Sequence, residues 1–306
     1  MGYKLAGYSV IGNCEIDPGL ARIYTQNLHP KYSFQMDIRE FNNKEDFPEE
    51  LKNLDILDGS PPCSTFSMLG QREQAWGAEK KFREGQALQR LDDLFLHFIR
   101  TAEILQPKVI VAENVTGILK KNAKGYVNEI CNDMKKAGYV LQIFKLNSAC
   151  MGVPQYRERV FFIAHRKDLF YPPLRLEFDE PIIRFGDVRS AHGRELRDGT
   201  IKELVKRRKP SDKCVADISK RIRGKETGYS VTMVHDADIA PCTTAQSIQL
   251  RYIDGKKYAK QDLVNIQTFP QDYEFADQSV TFVCGMSVPP VMMANIASEI
   301  YTQWFC

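Results

Sequence analysis

Residues 54–64 read Leu-Asp-Ile-Leu-Asp-Gly-Ser-Pro-Pro-Cys-Ser: a short apolar run, polar residues directly behind it, then a loop stiffened by two prolines. A buried parallel strand with a functional carboxyl end reads this way, because helices cover both faces of such a sheet and ligands collect beyond the strand ends. The pattern recurs on either side, as SVIGNC at 9–14 before Glu15 and KVIVA at 108–112 before Glu113. Helical patterns lie between and after these runs. One is Gly85 to Leu105, with Leu88, Leu91, Leu94, Phe95 and Phe98 on one stripe; another is Tyr126 to Ala137, ended by Gly138. The β-α-β-α order predicts a doubly wound α/β domain in which Glu15, Cys63 and Glu113 share one rim.

Outward from this core the signal changes. A further apolar run, VFFIA at 160–164, follows the charged segment QYRER at 155–159, and regular periodicity then fades until about residue 240. A second, smaller domain is expected there. The stretch VMMANIASEIYTQW, after Pro289-Pro290, has apolar residues at helical spacing and predicts a helix opened by proline.

Bulk properties set bounds. A chain of 306 residues can bury a large core, and 43% hydrophobic with 26% charged residues is ordinary globular composition. No run of about 18 apolar residues reads as a bilayer span, and the N-terminus MGYKLAGYSV lacks the pattern of a signal peptide. A cytoplasmic protein is expected, without membrane association. The eight cysteines are scattered without the close pairs of a zinc site, which disfavours both metal and disulfides. Net charge is +3, yet Arg175 to Lys225 holds 15 Lys/Arg against 9 Asp/Glu. A basic segment on a near-neutral body suggests a face that meets a polyanion, since neutralising phosphates releases counterions; a solvated loop is the plainer alternative.

Three short segments carry candidate chemistry. Cys63, in the proline-fixed loop Ser60-Pro61-Pro62-Cys63-Ser64, is placed where a thiolate could be presented for attack. An isolated cysteine is more often a small buried hydrophobe. Glu113, in Glu113-Asn114-Val115, ends the next strand, where its carboxylate could hydrogen-bond a bound base or merely cap a helix. In QYRER, Arg157 and Arg159 fall on one side of an extended chain because side chains alternate with period two.

Together PPCS, ENV and QYRER, in this order, resemble the signature motifs of the cytosine-C5 DNA methyltransferase family. The likeness continues through IAPCTTAQS, IQTFPQDY and GMSVPP, and covers nearly the whole chain except Asp168 to Asp238. It implies a Rossmann-like S-adenosylmethionine-dependent methyltransferase fold with a smaller target-recognition domain. Residues 1–167 and 286–306 would form the catalytic and cofactor-binding domain, and 168–285 the recognition region. By the same resemblance Cys63 attacks C6 of a cytosine flipped out of double-stranded DNA, since a paired base cannot present that atom. Glu113 contacts the exocyclic amine and N3, Arg159 holds the base and the glutamate, and Arg157 supports the loop; arginine suits such bidentate contacts. For the cofactor, S-adenosylmethionine, the matching positions are Glu15 at the ribose hydroxyls, Ile16 against the adenine, Asp37 at the adenine amine, and Ile38, Pro62, Leu94, Ser287 and Val288 as further contacts.

The chain departs from the family pattern in three places. The opening strand and its Phe-x-Gly-x-Gly loop are absent, so residue 1 falls inside what should be the first helix, and a central strand and part of the cofactor pocket are expected to be missing. Met286 stands where the family has asparagine, and Lys260-Gln261-Asp262 replace much of an arginine-rich run. Two other readings therefore stand beside DNA methylation: a non-catalytic DNA-binding remnant, and an RNA cytosine-C5 methyltransferase. The expected partners are double-stranded DNA and either a cognate restriction endonuclease or a complementing N-terminal segment, with the chain itself a monomer.

Overall fold

In the computed structural model, residues 1–62, 93–120, 123–225 and 231–306 are described; Cys63 and the Gly85–Asp92 part of the expected helix lie outside them. The elements run α1 (Gly2–Leu5), β1 (Gly12–Cys14), α2 (Pro18–Leu28), β2 (Tyr32–Phe34), α3 (Ile38–Asn42), α4 (Glu49–Lys52) and β3 (Ile56–Gly59). There follow α5 (Leu94–Leu105), β4 (Val109–Val115), α6 (Lys124–Lys136), β5 (Tyr139–Asn147), β6 (Gln155–Tyr156) and β7 (Glu158–Arg166). Beyond these come α7 (Phe185–Val188), α8 (Thr200–Val205), α9 (Val215–Arg223), β8 (Val231–Val234), β9 (Ala240–Pro241), β10 (Ile248–Arg251), α10 (Lys260–Gln267), α11 (Val280–Met286) and α12 (Pro290–Ile300).

The larger sheet has the order β3-β4-β7-β5. β3 pairs parallel with β4, while β7 lies antiparallel between β4 and β5. Residues of β4 and β7 alternate between two packed faces. Ile110, Ala112, Val160, Phe162 and Ala164 join Phe95, Phe98 and Ala102 of α5 and Ile130 and Met134 of α6, whereas Val109, Val111, Phe161 and Ile163 join Met292, Ile296 and Ile300 of α12. Cover on both faces explains why these runs are continuously apolar.

β1 and β2 form a separate parallel pair. Two of the three apolar runs therefore differ from the expectation of fully buried strands: β1 and β3 are only partly buried, because among the described residues each is paired on one side alone. Their other edges line a single cavity of about 1760 Å³.

The region of faded periodicity has a core of its own, built from Leu196, Leu204, Val205, Val215, Ile218, Val231, Met233 and Leu250. Its strands β8 and β10 pair in parallel. At the C-terminus the helical stretch Val280–Phe305 is long and apolar enough to cross a membrane by composition, which the sequence reading did not credit. Half of its most apolar window is buried inside the protein, with Met292, Ile296, Ile300 and Trp304 against the main sheet, so it serves as a core helix.

Candidate functional site

Every described residue singled out for chemistry lines the cavity between the two sheets: Glu15, Ile16, Asp37, Ile38, Pro62 and Leu94, then Glu113, Arg157, Arg159, Ser287 and Val288. Strand ends place the acids. Glu15 follows β1, and its Oε1 accepts from the Asp17 amide at 2.8 Å, while Asp17 caps α2 through the amides of Gly19 and Leu20. Asp37 follows β2 and caps α3 through the Arg39 amide at 2.7 Å; its Oδ2 also pairs with the Arg39 guanidinium at 3.1 Å, and Arg39 reaches Asp93 at 2.5 Å. Burial raises the Glu15 carboxyl above its ordinary value, opposed by the amide hydrogen bond from Asp17.

Glu113 and Arg159 meet through sheet register. Glu113 stands opposite Phe161, and Arg159 lies two residues from Phe161 on the same face, so the pair are diagonal neighbours across the β4–β7 ladder. Arg159 Nε lies 2.8 Å from Glu113 Oε1, with side chains 14% and 12% exposed. Beside them the Asn114 side chain donates to the Pro61 carbonyl at 3.1 Å, tying the base of the proline loop to β4. Gly59 just before that loop lies against the Phe98 ring, which a Cβ would approach to 2.5 Å; the close approach requires glycine here.

Arg157, between β6 and β7, turns inward and is almost completely buried. Its guanidinium donates to the carbonyls of Thr243 at 2.9 Å and Gly285 at 3.0 Å, and lies 3.3 Å from Cys242 Sγ. Desolvation, then the neighbouring Arg159, lowers its pKa from the ordinary value. A second tether runs beside it: Gln155 Nε2 donates to Gln267 Oε1 at 2.8 Å, and Gln267 Nε2 to the Ser287 carbonyl at 2.8 Å. At Gly285 a Cβ would come within 2.2 Å of the Ala245 amide nitrogen, so two backbones touch there. Residues 242–245 and 285–287 are thus pinned to the strand that presents Arg159. Sequence reasoning placed IAPCTTAQS and GMSVPP in the motif set but could not name these contacts.

Sequence reasoning also missed Asp58. It faces the cavity from β3, and its Oδ1 accepts from the Tyr3 hydroxyl at 3.0 Å. Desolvation is the main cause that lifts its carboxyl from 3.8 to about 6, against the Tyr3 hydrogen bond and the N-terminal charge, which lower it. Asp58 is solvent-exposed by surface area, so solvent screening discounts the effect. The folded chain holds a proton on Asp58 that the unfolded chain releases between pH 3.8 and about 6, so this residue's contribution to stability falls as pH rises through that window. Asp58→Asn keeps an acceptor for Tyr3 and is expected to gain roughly 1 kcal/mol at pH 7, the discounted remainder of about 1.4 kcal/mol per pKa unit. The gain should vanish near pH 4 in parallel urea titrations; a pH-independent gain would refute the assignment.

Cys14 also lines the cavity, but burial pushes its thiol up to about 12, with Glu15 and Asp37 adding to the effect. It offers no thiolate at neutral pH. In the basic segment, part of the surplus charge works inside the fold. Arg189 pairs with Asp236 and Arg221 with Asp212, while Arg194 donates to the Tyr258 carbonyl and Arg208 to those of Tyr252 and Ile253. These arginines fasten loops, so fewer side chains than the raw charge suggests are left to meet a polyanion.

Comparison with known proteins gives a consistent picture. The family model described as C-5 cytosine-specific DNA methylase matches residues 1–302. The type II methyltransferase M.DdeI of Desulfomicrobium norvegicum is 25% identical over 99% of this chain and 85% of its own length. M.FnuDI of Fusobacterium nucleatum is 34% identical over 60% of this chain, a match that spans about half, 47%, of that protein. Among solved structures, a DNA modification methyltransferase of an E. coli prophage superposes with a TM-score of 0.70 at 19% identity, covering 99% of this chain and 94% of that one. Spodoptera frugiperda DNMT2 gives 0.64 at 16%, covering 100% and 95%. At these identities the structural matches establish the fold, the Rossmann-like methyltransferase architecture.

Proposed function

This chain belongs to the C-5 cytosine-specific DNA methylase family, and from that premise we propose that it transfers a methyl group to C5 of a cytosine flipped out of double-stranded DNA. The observation that carries the reading is the Glu113–Arg159 pair, held at 2.8 Å on the rim of a cavity that also receives the proline loop leading to Cys63.

S-adenosylmethionine would supply an electrophilic methyl group. The residues present suit it: Glu15 and Asp37, at the ends of adjacent strands, offer acceptors for hydroxyl and amine donors, while Ile16, Ile38 and Leu94 line the same cavity with apolar surface fit for a ring. Pro62, Ser287 and Val288 would complete this side. In the proposed chemistry the Cys63 thiolate bonds to C6, and the electron pair displaced from the C5–C6 double bond makes C5 nucleophilic. Glu113 would hold N3 and the exocyclic amine as charge builds on the ring, and Arg159 would hold Glu113 in place. Once C5 carries the methyl group, loss of its proton restores the double bond and expels the thiolate. Arg157 is here a positioning residue, fixing the strand relative to residues 243 and 285.

We assign residues 1–167 and 286–306 to catalysis and 168–285 to target recognition, and place the protein on DNA in the cytoplasm. As partner we propose a cognate restriction endonuclease or a complementing segment, with the chain itself monomeric. The test is transfer of labelled methyl from S-adenosylmethionine to mixed-sequence duplex DNA and to RNA side by side. Transfer to DNA is the expected result; transfer to RNA alone would overturn it.

Glu15→Ala should weaken S-adenosylmethionine binding by about 10- to 100-fold, the loss of charge-assisted hydrogen bonds worth roughly 1.5–3 kcal/mol. DNA binding should stay within about twofold. Calorimetry and DNA mobility shifts report the two separately, and equal losses would count against this placement.

A further inference from the structure

Helix α3, which follows the β1–β2 pair, lies against α5 of the main sheet along a polar seam. Arg39 and Asn42 are three residues apart on α3, while Asp93, His97 and Thr101 follow one another at intervals of four along α5, so each set forms one stripe. The Arg39 guanidinium lies 2.5 Å from Asp93 Oδ1, the Asn42 side chain donates to the His97 carbonyl at 2.9 Å, and the Thr101 hydroxyl donates to Asn42 Oδ1 at 2.8 Å. Phe41 of α3 and Leu105 of α5 share one apolar cluster beside these contacts.

Arg39 also reaches back to the acid that opens its own helix. Asp37 Oδ1 accepts from the Arg39 amide at 2.7 Å, and Asp37 Oδ2 lies 3.1 Å from Arg39 Nη1. One guanidinium therefore spans two carboxylates, Asp37 ahead of α3 and Asp93 ahead of α5, and His97 Nε2 stands 3.8 Å from the other oxygen of Asp93. Asp37, Ile38 and Leu94 line the cavity, and Arg39 and Asp93 stand behind them. The Arg39 and Asp93 side chains are 27% and 33% exposed, and ion pairs this open contribute little to stability. What the bridge supplies is geometry: with Nη1 on Asp37 and Nη2 on Asp93 in a rigid fork, the Asp37 carboxylate cannot turn without breaking a contact.

We infer that Arg39 is a positioning residue for nucleobase selection: bridged to Asp93, it holds the Asp37 carboxylate at the cavity wall, so that the cavity takes a 6-aminopurine there and rejects a 6-oxopurine. The inference deepens the cofactor reading above and rests on it. A carboxylate offers acceptors only, so an exocyclic amine satisfies it and a ring carbonyl opposes it. Discrimination of this kind needs the polar group held in place, because the wrong ligand is penalised only if it leaves that group unpaired. A carboxylate free to swing toward solvent would escape the penalty. Asp93 matters because it anchors the guanidinium from the other side of the seam, so that Arg39 cannot follow Asp37 outward.

The experiment is calorimetric binding of two probes to the full chain: S-adenosylhomocysteine, and S-inosylhomocysteine, in which a ring carbonyl replaces the amine. The parent should favour the adenosine probe by about 10- to 100-fold, the worth of a charge-assisted hydrogen bond. Arg39→Gln should bring that ratio to about threefold or less, mainly by weakening the adenosine probe. Both probes are measured on one preparation, so loss of folded protein cancels from the ratio. Arg39→Lys keeps the charge but not the fork, and should recover only part of the ratio. Equal weakening of both probes by Arg39→Gln would make Arg39 a structural residue and overturn the inference, and full recovery by Arg39→Lys would overturn the bridge. Should Arg39→Gln bind neither probe, Asp93→Asn decides, since it leaves Arg39 present without its anchor: a reduced ratio supports the inference and a parental ratio overturns it. A parent that binds both probes alike overturns the inference and leaves cofactor binding standing, whereas a parent that binds neither removes the cofactor reading and this inference with it.

Discussion

Cys63→Ala is expected to abolish methyl transfer and covalent capture of DNA containing 5-fluorocytosine, and Glu113→Gln should lower transfer by about 10²–10⁴-fold, the range typical of a positioned acid–base group. Fluorine at C5 blocks the proton loss that would free the enzyme, so a nucleophile that attacks C6 stays attached. The loop geometry favours this outcome. The Asn114 side chain holds the Pro61 carbonyl at 3.1 Å, so the strand carrying Glu113 also fixes the base of the loop two residues before Cys63. Arg159→Ala should cost nearly as much as Glu113→Gln, and the double variant little more than either, because the two act as one unit across 2.8 Å. Capture assays and single-turnover transfer read both quantities. Undiminished capture by Cys63→Ala would remove the nucleophile assignment, and additive losses at Glu113 and Arg159 would show that they work independently.

Arg157→Ala should destabilise the protein by about 3–5 kcal/mol, the cost of breaking a buried charged network. Three contacts vanish at once, to Thr243, Gly285 and Cys242, and the Thr243 carbonyl is left buried and that of Gly285 partly buried. At roughly 2–4 °C per kcal/mol for a chain of this order of size, the melting temperature should drop by about 6 °C or more. Arg157→Lys keeps the charge but cannot reach both carbonyls in fork geometry, and should recover only part of the loss. A structural role alone would lower stability and leave the remaining folded protein normal. The positioning role predicts in addition that, well below the melting temperature, KM rises for both DNA and S-adenosylmethionine, since the tether joins residues 242–245 to 285–287. A melting temperature within about 1 °C of the parent would contradict both parts.

Several elements were legible because their signal is local. Near-continuous apolar runs in β4 and β7 reflect cover on both faces, the stripe of Leu94, Phe95 and Phe98 marks α5, and Pro289-Pro290 marks the start of α12. Other features depend on partners far along the chain. The antiparallel insertion of β7 between β4 and β5 leaves no mark on β7 itself, whose residues read the same in either direction. The basic segment's charge was visible, but not that Arg189, Arg194, Arg208 and Arg221 spend theirs on loops up to 64 residues away.

What the sequence determined by itself is the type of β3, β4 and β7 and of the helices α5, α6 and α12, and the residue types at the rim, because hydrophobic period and proline chemistry act within a few residues; β5 carried no signal that was read. The tertiary structure alone decided that Glu15, Asp37, Glu113, Arg157, Arg159 and Ser287 face one cavity, and that Arg157 points inward while Arg159 meets Glu113. It also decided that, among the described residues, β1 and β3 are each paired on one side alone and line the same space, and that desolvation lifts the Asp58 carboxyl there to about 6. The physical reason is common to all of these: burial, desolvation and edge pairing are properties of what surrounds a residue, and those surroundings are assembled from segments far apart in the chain.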